Sequence, residues 1–154
     1  MRKVLDVNCD IGEAAGTWHE SHEPELMGLV TSANVACGGH AGDAESMHAV
    51  CAQAVKLGVA IGAQVSYPDR AGFGRTLMEI SPDALAQSLR EQYDELSRAA
   101  AGVGGRVTYV KPHGALYNAV VARDDHAHVL EDLRYLIRRG LPLRCMHRSL
   151  FSMH

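Results

Sequence analysis

The stretch that decides the fold is Asn34-Val35-Ala36-Cys37-Gly38-Gly39-His40-Ala41-Gly42-Asp43. An apolar, strand-like run ends there in glycine and titratable residues, and a helical pattern follows at once. Residues 32–36 read as a strand. Residues 43–57 place Met47, Val50, Cys51, Ala54 and Val55 at helical spacing, with Gly58 as the stop. Residues 59–63 then form a second short, buried-looking strand.

The same unit recurs on both sides. Upstream, residues 3–7 read as a strand ending in Asn8-Cys9-Asp10-Ile11-Gly12-Glu13, then a loop and a short helix over 24–29. Downstream, residues 64–78 read as a loop too long for a plain connector, with a place at the mouth of a site. Ser81 caps the next helix, Pro82 sits in its first turn, and Leu85, Leu89, Tyr93, Leu96 and Ala100 share one face before Gly102. Residues 106–110 read as a fourth strand, with Lys111-Pro112-His113-Gly114 blocking its continuation. Alternating strands and helices imply an α/β fold with parallel strands and right-handed crossovers. From Leu133 to His154 five arginines and no acidic residue appear, without a clean period, so weak packing is expected after about Leu133.

The 154 residues suffice for one domain with a real core, and 47% hydrophobic with 21% charged residues is ordinary for a globular protein. A net charge of -3 gives no reason to expect nucleic acid, and no apolar run has the length of a membrane span. Cytoplasmic location is the expectation. Cys9, Cys37, Cys51 and Cys145 contain no C-x-x-C pair, and a catalytic thiol is considered only for Cys9 and Cys37, beside the polar segments. Of nine histidines, His40 and His113 lie at strand-end turns; His126 and most others sit in polar stretches and read as surface groups.

Parallel α/β folds gather strand C-terminal ends on one face, so the three polar segments converge on one site. Asp10 is a candidate general base or water orienter, His40 and His113 candidate proton shuttles, and Lys111 a stabiliser of developing negative charge. Asn8, Glu13, Asp43, Gln64, Tyr67, Arg75 and Asn118 are candidate substrate-binding residues, Arg75 offering a fork for a carboxylate. Asp10, His40 and His113 also form a candidate ligand set for zinc or a similar divalent ion. No phosphate-binding G-x-x-x-x-G-K-[ST] loop, G-x-S-x-G elbow or H-E-x-x-H occurs, so the sequence carries no recognisable ATP site.

The segments 8–13 and 34–43, with Ile61-Gly62-Ala63, Tyr67-Pro68-Asp69, Gly72-Phe73-Gly74-Arg75 and residues 110–118, resemble the LamB/YcsF family over roughly residues 3–130. The resemblance implies a distorted (β/α) barrel similar to that of polysaccharide deacetylases, of which residues 1–130 supply the N-terminal part and 131–154 an atypical basic tail. It implies ATP-dependent opening of the lactam of 5-oxo-L-proline to L-glutamate, together with 5-oxoprolinase subunits B and C. Once the lactam carbonyl is activated, such a site needs a base for water, a donor for the oxyanion and an acid for the leaving nitrogen. The alternatives are a metal-dependent, deacetylase-like hydrolase of a small amide or carbohydrate, and a non-catalytic remnant that binds the partners. Three departures stand out. Gln64-Val65 replaces the family's frequent His-Pro, Ala14-Ala15-Gly16-Thr17-Trp18 alters a glycine-rich stretch, and family members continue beyond residue 154, which reads as a truncated or frame-shifted product.

Overall fold

The computed structural model describes residues 5–14 and 18–139. Four parallel strands, β1 (Asn8–Ile11), β2 (Ser32–Ala36), β3 (Ala60–Val65) and β4 (Val107–Pro112), form one sheet in the order β1-β2-β3-β4. Helices α1 (Glu23–Met27), α2 (Ala44–Leu57), α3 (Pro82–Gly102), α4 (Gly114–Ala122) and α5 (Asp124–Arg139) connect and follow the strands. Strands laid down in sequence order, each joined by a helical crossover, make an α/β partial barrel. Among the described residues, no helix is long and apolar enough to cross a membrane.

Alternation along the strands divides the sheet. Ile11, Ala33, Val35, Ile61, Ala63 and Val65 are buried in the core shared with α2 and α3. Asn8, Asp10, Ser32, Asn34, Gln64, Tyr109 and Lys111 occupy the opposite, inner face, as the pairing register Asn8↔Ser32, Asp10↔Asn34 and Gln64↔Lys111 requires. α2 begins as expected: Asp43 accepts from the Ser46 N–H at 2.8 Å, and Gly58 closes the helix at φ 70°. Ser81 caps α3 in the expected way.

Several expected bounds move. The strand expected over 3–7 is not found in its described part; Leu5–Val7 is exposed coil, and residues 1–4 lie outside the described residues. Backbone pairing towards β2 begins at Val7, whose carbonyl accepts from Thr31 N at 2.8 Å and Ser32 N at 3.3 Å, so the polar Asn8-Cys9-Asp10 is itself the strand. Likewise Gln64 and Val65 end β3 instead of opening a loop, and Lys111 and Pro112 belong to β4. Pro112 is tolerated because it ends a strand with no further neighbour among the described residues, and His113 N still donates to Val65 O at 2.8 Å.

The region after β4 is helical. α5 runs through residue 130, where the basic tail was expected to start, and it buries His126, Val129, Leu130, Leu133 and Leu136. Its packing against α3 and α4 supplies a periodic face up to Arg139, so weak packing from Leu133 onward does not hold there. Residues 140–154, which include Cys145 and most of the expected tail, lie outside the described residues. His126 is no surface group. It is fully buried, with Nδ1 2.7 Å from the Tyr67 hydroxyl and Nε2 3.2 Å from Ile80 O.

Candidate active site

Two polar clusters stand on the inner face and at the C-terminal rim. The first joins β1, β2 and β4. Lys111 Nζ lies 2.7 and 2.8 Å from the two Asp10 carboxylate oxygens. Asn34 Nδ2 donates to Asp10 Oδ1 at 2.9 Å and to Asn8 Oδ1 at 3.0 Å, while Asn34 Oδ1 accepts from the Tyr109 hydroxyl at 2.8 Å. Tyr109 reaches Asn34 by lying over Gly62, where any Cβ would collide with its ring. Burial raises the Asp10 pKa, but the hydrogen bonds from Lys111 and Asn34 and the lysine charge outweigh it, leaving it below the ordinary carboxylate value. Burial pushes the Tyr109 phenol up to about 12. The carboxylate and the ammonium are each one-third exposed, so a ligand on the inner face can reach both.

The second cluster lies just past the strand ends. Gly12, at φ 81°, turns the chain out of β1, and Glu23 of α1 fixes that turn. Its carboxylate accepts from the N–H groups of Gly12 (2.9 Å), Glu13 (3.0 Å) and Ala14 (3.1 Å). Glu13 Oε1 is thereby set 2.9 Å from His40 Nε2, 2.8 Å from Gln64 Nε2 and 3.6 Å from His113 Nδ1. The two imidazoles stack with centroids 3.8 Å apart. Ser66 Oγ donates to Tyr67 O at 2.9 Å, which leaves it to accept from His40 Nδ1 at 3.1 Å. His113 Nε2 donates to Phe73 O at 3.2 Å, so its Nδ1 is the acceptor for the Gln64 amide at 3.0 Å.

Electrostatics follow the packing. Burial raises the Glu13 pKa, and the His40 and Gln64 hydrogen bonds more than reverse it, so the net position is below the ordinary value. Burial and the neighbouring His40 lower the His113 pKa against the pull of Glu13 and Asp10, favouring the neutral ring. The loop after β3 does cover the site, as its length implied. Phe73 stands edge-on to both rings, and Gly74, at φ 65°, has no room for a side chain: a Cβ would sit 2.9 Å from His40 Cβ. Arg70 ties this loop to the glycine turn through Gly42 O (2.7 Å) and Gly38 O (3.2 Å).

Asp10, Glu13, His40, Gln64, Lys111 and His113 are thus brought together, Asp10 and His113 approaching to 3.9 Å. A cleft of about 260 Å³ opens over Glu13 and His40, with Asp43, Ser46, Arg70 and Trp18 in its wall. Asp43 serves as helix cap and as wall. Asn8 borders a separate inner-face hollow of about 420 Å³. Tyr67 is fully buried and spends its hydroxyl on His126, which makes it a core residue. Arg75 lies exposed, 5.2 Å above the Phe73 ring, and Asn118 is exposed on α4, apart from the hydrogen bonds of either cluster. The nucleophile reading of Cys37 fails: the thiol is buried, donates to Gln64 O at 3.2 Å, and burial drives its pKa far up. Burial also raises Cys9, with Asp10 and Glu23 adding to it.

Among the described residues the group able to hold a metal ion is Glu13, His40 and His113, whose ligand atoms lie within 4.8 Å of one another. Glu13 takes the place expected for Asp10, whose two oxygens pair with Lys111. One carboxylate and two imidazoles suit zinc or a similar first-row ion. Asn34, Tyr109, Ser66 and Glu23 were not singled out from sequence. Asn34 lies on the same strand face as Asp10 and was within reach of alternation; Glu23 leaves no local signal, since its partners lie 9–11 residues away on a turn.

Comparison with known proteins matches residues 5–153 to the LamB/YcsF family model, farther along than the motifs alone reach. A Streptomyces avermitilis protein named as the A subunit of 5-oxoprolinase is 49% identical over 140 residues, covering 91% of this chain and 56% of that protein. Its namesake in Mycolicibacterium gilvum is 46% identical over 147 residues, covering 96% and 58%. The crystal structure of a lactam utilization protein from Thermus thermophilus superposes with a TM-score of 0.79 at 36% identity, covering 86% of this chain and 53% of that one. The chain therefore spans about half the length of the relatives it matches.

Proposed function

The chain belongs to the LamB/YcsF family, and from that premise we propose that it works as part of an ATP-dependent 5-oxoprolinase. The reaction opens the lactam of 5-oxo-L-proline to L-glutamate, with subunits B and C as partners, ATP supplying the activation, and the cytoplasm as its place. In this reading residues 1–130 contribute the N-terminal part of the catalytic barrel. The observation that supports it most is the convergence of Glu13, His40 and His113 beside the Asp10–Lys111 pair at the strand ends.

Each group has a task in amide hydrolysis. Lys111 offers a fixed cation to the charge that grows on the lactam oxygen, and Asp10 orients it. Glu13 and His40, 2.9 Å apart, hold one proton between them that can pass to the leaving nitrogen. His113, whose lowered pKa favours the neutral ring, keeps a lone pair on Nδ1 that can take the proton given up by attacking water. Phe73 and Gly74 close one side against bulk water.

The test is glutamate release from 5-oxo-L-proline and ATP. No turnover is expected from the chain alone, and turnover is expected once subunits B and C and the C-terminal units of the barrel are supplied. Substantial glutamate from the isolated chain would overturn the requirement for partners, and none from the assembled mixture would overturn the assignment.

A second reading, a metal-dependent hydrolase, is favoured by the Glu13–His40–His113 cluster. A bound divalent ion would supply Lewis-acid activation of a carbonyl or of water. Metal content of the purified protein, and the effect of a chelator on turnover, separates the two.

A further inference from the structure

One buried polar atom at the rim has no partner. Gln64 is 0% exposed, and its Oε1 makes no hydrogen bond. Buried acceptors in folded proteins are almost always satisfied. The other end of the same amide is fully used, because Nε2 donates one hydrogen to Glu13 Oε1 at 2.8 Å and the other to His113 Nδ1 at 3.0 Å. A side chain with one end doubly bonded and the other orphaned can exchange its two ends by a half-turn of the amide.

We propose that Gln64 is the fourth ligand of a divalent-cation site formed with Glu13, His40 and His113, and that its amide turns over when the ion enters. The inference rests on the metal-dependent reading of the rim cluster. Without an ion, the amide NH₂ places partial positive charge between a carboxylate oxygen and an imidazole lone pair, which is where a cation would stand. Turned over, Oε1 faces those same acceptors. Several lone pairs pointing at one spot repel each other when the spot is empty and form a coordination shell when it holds a cation. Two imidazole nitrogens and two oxygens are a donor set that zinc accepts. Gln64 can act this way because its backbone is held on both sides: β3 pairs it with Ala36 of β2 and Lys111 of β4, and its carbonyl accepts from Cys37 Sγ at 3.2 Å. Only the side chain is left to move.

The experiment is a competition titration of the full chain with Zn²⁺ against a chromophoric chelator, with Co²⁺ absorption as a spectroscopic readout and thermal melting as the folding check. The wild type should bind one ion. Gln64→Met, which keeps length and removes the amide, should weaken binding at least about tenfold, the scale on which a metal site feels the loss of a supporting group, and should change the Co²⁺ spectrum. Gln64→Glu should tighten binding. Unchanged or tighter binding in Gln64→Met would show that the amide only competes with the ion and would overturn the proposal. If that variant does not fold, Gln64→Glu decides, and an affinity equal to wild type overturns it. Glu13→Gln separates the two levels. Loss of binding in Glu13→Gln with none in Gln64→Met sinks only the role of Gln64. A wild type that binds no Zn²⁺, or a Glu13→Gln that binds as well, sinks the metal reading and the proposal together.

Discussion

The two faces of the sheet are built on opposite rules. The outer face is apolar, covered by helices and closed by caps that satisfy the backbone. The inner face and rim are polar, hold Asp10, Lys111, Glu13, His40 and His113 at close quarters, and keep a carboxylate and an ammonium one-third exposed. A fold that wanted only stability would not gather charges there, because paired charges at such exposure contribute little. The contrast assigns stability to one side and chemistry to the other. It therefore predicts that substitutions dissociate: polar-side changes alter turnover with small effects on melting, and helix-side changes do the reverse.

The largest expected effect is at Asp10. Under the proposed function, Asp10→Asn in a full-length, assembled enzyme should cut turnover by about 10²–10⁴-fold, the range for losing a positioned acid–base or orienting group, while the thermal transition moves little. Steady-state kinetics and melting of the same sample check this, and near-normal activity would reduce Asp10 to a structural partner of Asn34 and Lys111. Next is Leu133, fully buried in α5. Leu133→Ala should cost about 2–5 kcal/mol by denaturant unfolding, and a loss below about 1 kcal/mol would return the segment to the weakly packed tail read from its arginines.

Tyr67→Phe should be smaller, about 1–3 kcal/mol for leaving the buried His126 acceptor without its donor. KM for 5-oxo-L-proline should not change; a raised KM would restore Tyr67 as a substrate residue. The weakest effect is with acid. His113 has a lowered pKa in the folded state, so its contribution is complete above its unfolded value of about 6.5 and is lost as pH falls below it. Asp10 and Glu13, also lowered, contribute fully only above their unfolded values of 3.8 and 4.5 and lose that contribution as pH falls through their folded values. Stability should thus decline in two acid steps, and a chain equally stable at pH 7 and pH 4.5 would contradict the His113 environment.

Legibility followed the same division. β2, α2 and α3 were readable because caps and periodicity agree: Asp43 with Ser46, Gly58, and Ser81 before Pro82. β1 and the ends of β3 and β4 were not, since Asn8, Asp10, Gln64, Lys111 and Pro112 are poor strand formers by composition and are strand residues here because their side chains face a polar interior. α4 and α5 were obscured by the strand-end motif before them and the arginines after them. At the site, residue types and strand-end placement identified Asp10, Glu13, His40, Lys111 and His113. The exchange of Asp10 for Glu13 in the metal-capable set was not legible, because it depends on the turn after β1 carrying Glu13 Oε1 to 2.9 Å from His40 and 3.6 Å from His113, contacts between residues far apart in the chain. The His126–Tyr67 bond, 59 residues apart, was hidden for the same reason.

The claim that the rim is where substrate meets the chain can be tested without turnover. Backbone amide NMR shifts of the chain titrated with 5-oxo-L-proline should move at Gly12–Ala14, at Gly38–Asp43 and at Phe73–Arg75, and stay still on α3 and α5. Saturating 5-oxo-L-proline that leaves all three segments unmoved, or that moves only helix-face amides, would contradict the account.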